Sequence, residues 1–321
     1  MMQAIVVDGS GAFVLDEVER PSPGPGQVLV KVTVSGVNFM DAHQYQRAAA
    51  ANPGEPFYVG VEGVGVIVEL GAQVTDLSVG QRVGWLSGGQ GSFADYVAVE
   101  SGKAVPIPDD IEDETAAALL MQGVTAHYLA TDAYPIRAGD PVLVHAAAGG
   151  VGQLLTQVAK IRGGTVIGTV STQEKVAAAR AVGADHVLLY DTFADEVRAL
   201  TDGDGVAAVY DSIGATTFDA SLAALRVRGT LVVYGGASGP APALDLSRLS
   251  IGGSLTVIGP MVVHYTRTPQ ELRSRAADLF TWVTEGELTV SIGDRYPLSQ
   301  AGEAITALTS RTSTGKLLLT H

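Results

Sequence analysis

From Gly139 onward short apolar runs alternate with amphipathic stretches, and this alternation constrains the fold more than any other feature of the chain. Strands are expected at Val142–His145, Thr165–Val170, His186–Tyr190, Val206–Asp211 and Thr230–Tyr234, with helices over 153–162, 172–182, 193–200 and 216–226 between them. Strands separated by helical crossovers return in the same direction, so a parallel, doubly wound sheet follows. The first strand-to-helix junction carries a loop of small residues, spelling A-x-x-G-x-x-G through Ala146, Gly149 and Gly152. Such a loop turns sharply, packs its helix close to the sheet and lets an anion approach backbone N–H groups at the helix start. It is a variant of the dinucleotide-binding fingerprint, with a tight strand–helix turn as the plainer alternative.

Residues 1 to about 115 have another character. Valine-rich runs at Ala4–Val7, Val28–Val34, Gly65–Leu70 and Phe93–Val99 are broken by turns such as Pro21–Gly26, as in a small β-barrel or sandwich. Glu114–Ala130 reads as a helix interrupted at Gly123, and Gln44–Asn52 as an alanine- and glutamine-rich helical segment. Ser171, Thr172, Gln173 and Glu174 fit a capping box, with Gly183 as the helix stop. Thr268 and Pro269 open a later helix; Ser254–Ile258 and Lys316–Thr320 read as strands. The expected class is α/β: a β-rich domain formed by 1–120 and 260–321, with a doubly wound domain over 121–259 inserted into it.

Composition removes several kinds of chemistry. The net charge of −14 argues against nucleic-acid and anionic-membrane partners, which call for clustered Lys and Arg. Without cysteine there is no disulfide, thiolate nucleophile or cysteine zinc site, and the six histidines form no H-x-x-x-H pair. No secretory leader or apolar run of membrane-spanning length is apparent, so a cytoplasmic location is expected. An anionic ligand would be held by a few local cations and by backbone dipoles.

In NAD-binding units an acid roughly 20 residues beyond the glycine loop holds the ribose 2′-hydroxyl. Here that corner, at the end of TVIGTV, has Ser171 and Thr172, with Lys175 one turn on. Two hydroxyls and a lysine suit a 2′-phosphate, which a carboxylate would repel, and this favours NADP over NAD. Glu174 lies close and is accounted for by the capping box; Tyr190, ending the next strand, is placed to pack on adenine or bond the phosphate.

The segments GVNFMD (36–41), GVEGVG (60–65), QGVTAHYL (122–129), HAAAGGVGQ (145–153), GTVSTQEK (168–175), YDSIG (210–214), GSLTVIGP (253–260) and TSRTSTGKLLL (309–319) together resemble the zinc-independent quinone oxidoreductases (the ζ-crystallin type) of the medium-chain dehydrogenase/reductase superfamily. The resemblance spans almost the whole chain. It implies a GroES-like domain with an inserted Rossmann domain and a cofactor cleft between them. It further implies NADPH held by Asn38, Thr125, the loop Ala148, Gly149, Gly150, Val151 and Gly152, Ser171, Thr172, Lys175, Tyr190, Ser212, Tyr234 and Gly235, Arg311 and Lys316. A homodimer joined through the strand at 254–258 is also implied.

Departures from the wider superfamily are informative. Zinc-dependent relatives would have a cysteine near Ser35 and a G-H-E where Gly60, Val61 and Glu62 stand, so no metal is expected here. Many quinone-reductase relatives would have lysine at Gln122, and Gln44–Glu55 looks longer than usual where relatives shape the substrate pocket. The chemistry then resides in NADPH, and the protein must orient an acceptor and stabilise the oxyanion that develops. Donors expected near the cleft are Asn38, His43, Tyr45, Tyr58, Thr125, His264 and Tyr265, with Tyr45, Asn38 and His43 as catalytic candidates. His127 and His145 are expected to be packed, His145 bonding only backbone. Three readings stay open: a quinone reductase, an enoyl reductase of the polyketide kind acting on an α,β-unsaturated carbonyl or thioester, and an NADPH-binding protein without turnover.

Overall fold

The computed structural model describes residues 1–7, 11–42, 57–87, 91–310 and 313–321. The chain forms two compact units, one of Met1–Met121, Thr266–Thr284 and Val290–His321, the other of Gln122–Tyr265 and Glu285–Thr289.

The first unit is built on β1 (Met2–Val7), β2 (Phe13–Val18), β3 (Gln27–Gly36), β4 (Phe57–Tyr58), β5 (Glu62–Leu70), β6 (Arg82–Leu86), β7 (Tyr96–Glu100) and β8 (Ala104–Pro106). In β3, QVLVKVTVSG, Val28, Val30 and Val32 point into the core, while Lys31 points outward. Leu29, on the Lys31 face, is fully buried as well, so the register is fixed around Lys31, where a one-residue slip would turn the lysine inward. β3 pairs antiparallel with β5 along one edge, and along the other with β7 at its start and with the strand Lys316–Thr320 at its end. Val97, Val99, Ile67, Val83 and Trp85 close this core.

In the second unit β9 (Pro141–Val144), β10 (Thr165–Val170), β11 (His186–Leu189), β12 (Val206–Asp211), β13 (Leu225–Val233) and β14 (Thr256–Ile258) form one sheet in the order β11-β10-β9-β12-β13-β14. Every pairing is parallel. This is the Rossmann order, and its direction of winding reverses between β9 and β12, where such sheets bind ligands beyond the strand carboxyl ends. Val142, Leu143 and Val144 are fully buried, which is why this strand reads as a continuous apolar run.

β10, β12, the helix Phe193–Leu200 and the strand Lys316–Thr320 lie where the sequence places them, residue for residue. Other elements shift at their ends, and four differ in ways that have a physical cause. The helix Asp113–Tyr128 runs through Gly123 without a break, because its residues Ala116 to Leu120 are fully buried and this packing outweighs the roughly 1 kcal/mol helix cost of one glycine. The helix expected over 172–182 is a 3-10 turn, Gln173–Lys175, followed by Val176–Ala181. Its cap is Thr172, and the Glu174 carboxylate accepts the Thr172 hydroxyl instead of closing a box with Ser171. β13 starts five residues earlier than expected, across an irregularity that holds Arg228 at φ 60°, and the preceding helix shortens to Phe218–Ala223. Gly183 ends its helix at φ 97°, with the Ala184 N–H reaching back to the Ala179 carbonyl. The Glu271 N–H donates to Thr268 Oγ1 at 3.1 Å, capping Pro269–Thr284. Among the described residues no helix is long and apolar enough to cross a membrane.

Candidate functional site

The loop after β9 is as tight as its composition requires. Ala146 stands at φ 52°, and its N–H donates to the Tyr190 hydroxyl oxygen at 2.9 Å. The Ala147 N–H donates to the Thr169 carbonyl at 3.0 Å and the Gly149 N–H to the Ala146 carbonyl at 2.8 Å. The helix Gly150–Ile161 follows directly. At Gly152 a side chain would overlap the Ala146 carbonyl, so only hydrogen fits there. At Gly150 it would overlap the Gln122 amide, which places Gln122 against the start of this helix. Ala148 is buried, while Gly149, Gly150 and Val151 are half-buried and present backbone at the helix N-terminus.

Ser171 and Thr172 are exposed just beyond the carboxyl end of β10, and Lys175 is half-buried in the turn that follows. Beyond the neighbouring strand β11, Tyr190 bonds the glycine loop itself, so the phenol is a brace for Ala146. Ser212, Tyr234 and Gly235 follow β12 and β13, and Thr125 is half-buried in the helix Asp113–Tyr128. Burial raises the Tyr234 hydroxyl above the usual phenol range, partly opposed by its hydrogen bond with Ser212. Tyr265 stacks on Tyr128 with ring centroids 4.4 Å apart, a packing role.

The sequence reading missed a buried polar cluster at the same strand ends. His145 lies one residue beyond β9 and bonds two side chains, not backbone alone: Thr169 Oγ1 at 2.7 Å from Nδ1 and Ser221 Oγ at 2.9 Å from Nε2. Ser221 donates to Asp211, as does Thr217. Only YDSIG hinted at Asp211, and nothing local hinted that Ser221, on a helix 76 residues away, would meet His145.

In the first unit Asn38, Glu62 and Lys316 form a buried set. Lys316 Nζ donates to Glu62 Oε2 at 2.5 Å and to Asn38 Oδ1 at 2.8 Å. Asn38 Nδ2 donates to Glu62 Oε2 at 2.9 Å and to the Gly36 carbonyl at 3.2 Å. The other Glu62 oxygen accepts the Met121 N–H at 2.6 Å. Both amide hydrogens of Asn38 are therefore engaged, and the Lys316 ammonium acts on this set. Asp41 accepts the Asn38 N–H at 2.8 Å, and burial pushes its carboxyl up to about 7. Ser35 donates to the Ser92 carbonyl and meets His321 Nε2 at 2.8 Å. His43, Tyr45, the rest of Gln44–Glu55, and Arg311 lie outside the described residues.

These features have counterparts among known proteins. Residues 24–109 match the family described as alcohol dehydrogenase GroES-like domain, and residues 150–281 the family described as zinc-binding dehydrogenase. A quinone oxidoreductase of Pseudomonas aeruginosa is 39% identical, the match covering 94% of both chains. The 2-haloacrylate reductase of a Burkholderia species is 40% identical over 99% of both. A mycobacterial structure complexed with NADPH superposes with a TM-score of 0.94 at 44% identity, covering 100% of both chains. The chain belongs to the zinc-independent quinone oxidoreductases of the medium-chain dehydrogenase/reductase superfamily. Its β-rich unit is the family's GroES-like part and its parallel sheet the Rossmann part.

Proposed function

We propose that this protein is an NADPH-dependent reductase that transfers hydride to a quinone without a metal. The observation that carries the cofactor is the cradle at 146–152, closed to any side chain at Gly152 and set where the sheet's winding reverses, beside a strand end with Ser171 and Thr172 where an acid would hold a ribose hydroxyl. The similar quinone oxidoreductases carry the substrate class. Bound NADPH supplies the hydride. The backbone N–H groups at Gly150–Gly152 would hold its pyrophosphate, and Ser171, Thr172 and Lys175 its 2′-phosphate. Thr125, Ser212, Tyr234, Gly235 and Arg311 complete the cofactor contacts. Asn38, held by Glu62 and Lys316, orders its loop, and Tyr45 and His43 are proposed as donors to the developing oxyanion.

The test is a panel of quinones, enones and enoyl thioesters, followed by loss of NADPH absorbance. Quinones should give the highest kcat/KM; a preference for enoyl thioesters of about 100-fold, some 2.7 kcal/mol in the transition state, would overturn the quinone assignment. Reduction of an activated alkene is the second reading, favoured by the identity to the 2-haloacrylate reductase. Lys175→Ala should weaken NADPH about tenfold or more, the scale of one charge-assisted contact, and NADH little. Equal losses in fluorescence titrations would refute the 2′-phosphate role.

A cytoplasmic homodimer completes the proposal. β14 is an open sheet edge, and Ile251 (85% exposed), Val227 (69%) and Met261 (58%) leave apolar surface on the same unit. Light scattering should give roughly twice the chain mass of 33.0 kDa, and the single-chain mass would exclude the dimer.

A further inference from the structure

The side chains joining β9, β10 and β12 have no part in the reaction as proposed, yet counting their hydrogens assigns every one. Asp211 accepts four donors: the Ile213 N–H at 2.8 Å, the Gly214 N–H at 2.9 Å, the Thr217 hydroxyl at 2.8 Å and the Ser221 hydroxyl at 3.0 Å. Four donors occupy the lone-pair sites of a carboxylate, which has no hydrogen to return. The single Ser221 hydrogen is thus spent on Asp211, so the Ser221 oxygen accepts from His145 Nε2–H. In a neutral ring Nδ1 is then bare and accepts the Thr169 hydroxyl hydrogen at 2.7 Å. All hydrogens run one way, from Thr169 through His145 and Ser221 to Asp211. The ring is fully buried, with Phe193 edge-on at 4.9 Å, and burial pushes its pKa down to about 4, which agrees with a neutral imidazole.

The position of this chain gives it consequence. β9 and β12 are the neighbours at which the sheet reverses its winding. His145 is covalently joined to Ala146, the first residue of the glycine loop. Asp211 holds the N–H groups of Ile213 and Gly214 and so shapes the loop that carries Ser212. One line of hydrogen bonds therefore links both rims of the ligand-binding end of the sheet.

We propose that His145, as its neutral Nε2–H tautomer, is a positioning residue for the dinucleotide, locking the glycine loop after β9 to the 212–214 loop after β12. The proposal rests on the NADPH reading above. It predicts that the ring never touches the cofactor, yet its hydrogen-bond pattern sets cofactor affinity.

The experiment compares His145→Leu and His145→Gln with wild type by NADPH fluorescence titration and steady-state kinetics. Leucine leaves Thr169 and Ser221 without their shared partner and should weaken NADPH about tenfold, the scale of one or two buried hydrogen bonds. KM for NADPH should rise while kcat at saturating NADPH stays within about twofold, the pattern of lost uniform binding. Glutamine, with one acceptor and one donor at a spacing like that of the ring nitrogens, should restore affinity to within about threefold. Leucine binding as tightly as wild type, glutamine no better than leucine, or a loss confined to kcat would overturn the proposal. Should both variants fail to fold, 15N NMR of the wild-type histidines decides: an Nε2–H signature for His145 that shifts on NADPH addition supports it, and an Nδ1–H ring or an imidazolium overturns it. Wild type that does not bind NADPH sinks the cofactor reading itself, a result separate from any difference among the variants.

Discussion

Replacing Lys316 by methionine is expected to lower folding stability by about 3–5 kcal/mol, because it strands a carboxylate in a dry site. Lys316 and Glu62 are 1% and 0% exposed at the side chain, and their charged atoms lie 2.5 Å apart. The ammonium also holds Asn38 Oδ1, so its loss frees that oxygen and leaves Glu62 Oε2 with the neutral Asn38 amide as its donor and no opposite charge. Methionine fills the space of the alkyl stem and supplies no donor. Urea unfolding monitored by circular dichroism would show the lower midpoint. The double variant Glu62→Gln/Lys316→Met should recover most of the loss, since a neutral amide still accepts the Met121 N–H without an unpaired charge. An unchanged midpoint with a large drop in NADPH affinity would mean that Lys316 serves the cofactor directly.

Gly152→Ala should have the largest effect on cofactor binding. The added methyl would overlap the Ala146 carbonyl, which is backbone and cannot rotate away. Either the helix Gly150–Ile161 lifts from the sheet or the loop opens, and overpacking of this kind costs about 1–3 kcal/mol. Both movements displace the N–H groups meant for the pyrophosphate, so NADPH affinity should fall by about two orders of magnitude, some 2.7 kcal/mol. Calorimetric titration tests it. An alanine variant with native affinity would show that the loop binds no dinucleotide.

The contrast between these two sites bears on what sequence reasoning reaches. Gly152 was legible because the demand is local: strand, turn and helix follow in one stretch of chain, and close packing needs a glycine at a set offset from the strand. The place of Ser171, Thr172 and Lys175 just beyond the end of β10 was legible for the same reason. The motif implies Lys316 as a cofactor contact, but not that its ammonium bonds Glu62 and Asn38, residues 254 and 278 positions away. No periodicity reports a partner at that separation. Gly123 misled the helix reading in the opposite way, since an intrinsic penalty near 1 kcal/mol was outweighed by burial that only the fold supplies.

By itself the sequence determined the winding of the parallel sheet, the place of the glycine loop and the absence of thiol chemistry. These follow from hydrophobic period, residue size and composition, which are properties of neighbouring residues. Only the tertiary structure decided that His145 gives one hydrogen and receives another, that Asp211 is the end of that chain, and that Asn38 has both amide hydrogens engaged. Such assignments depend on which donors and acceptors distant segments bring within hydrogen-bond reach. A buried polar group takes its state from the partners it meets, and those are chosen by how the whole chain packs.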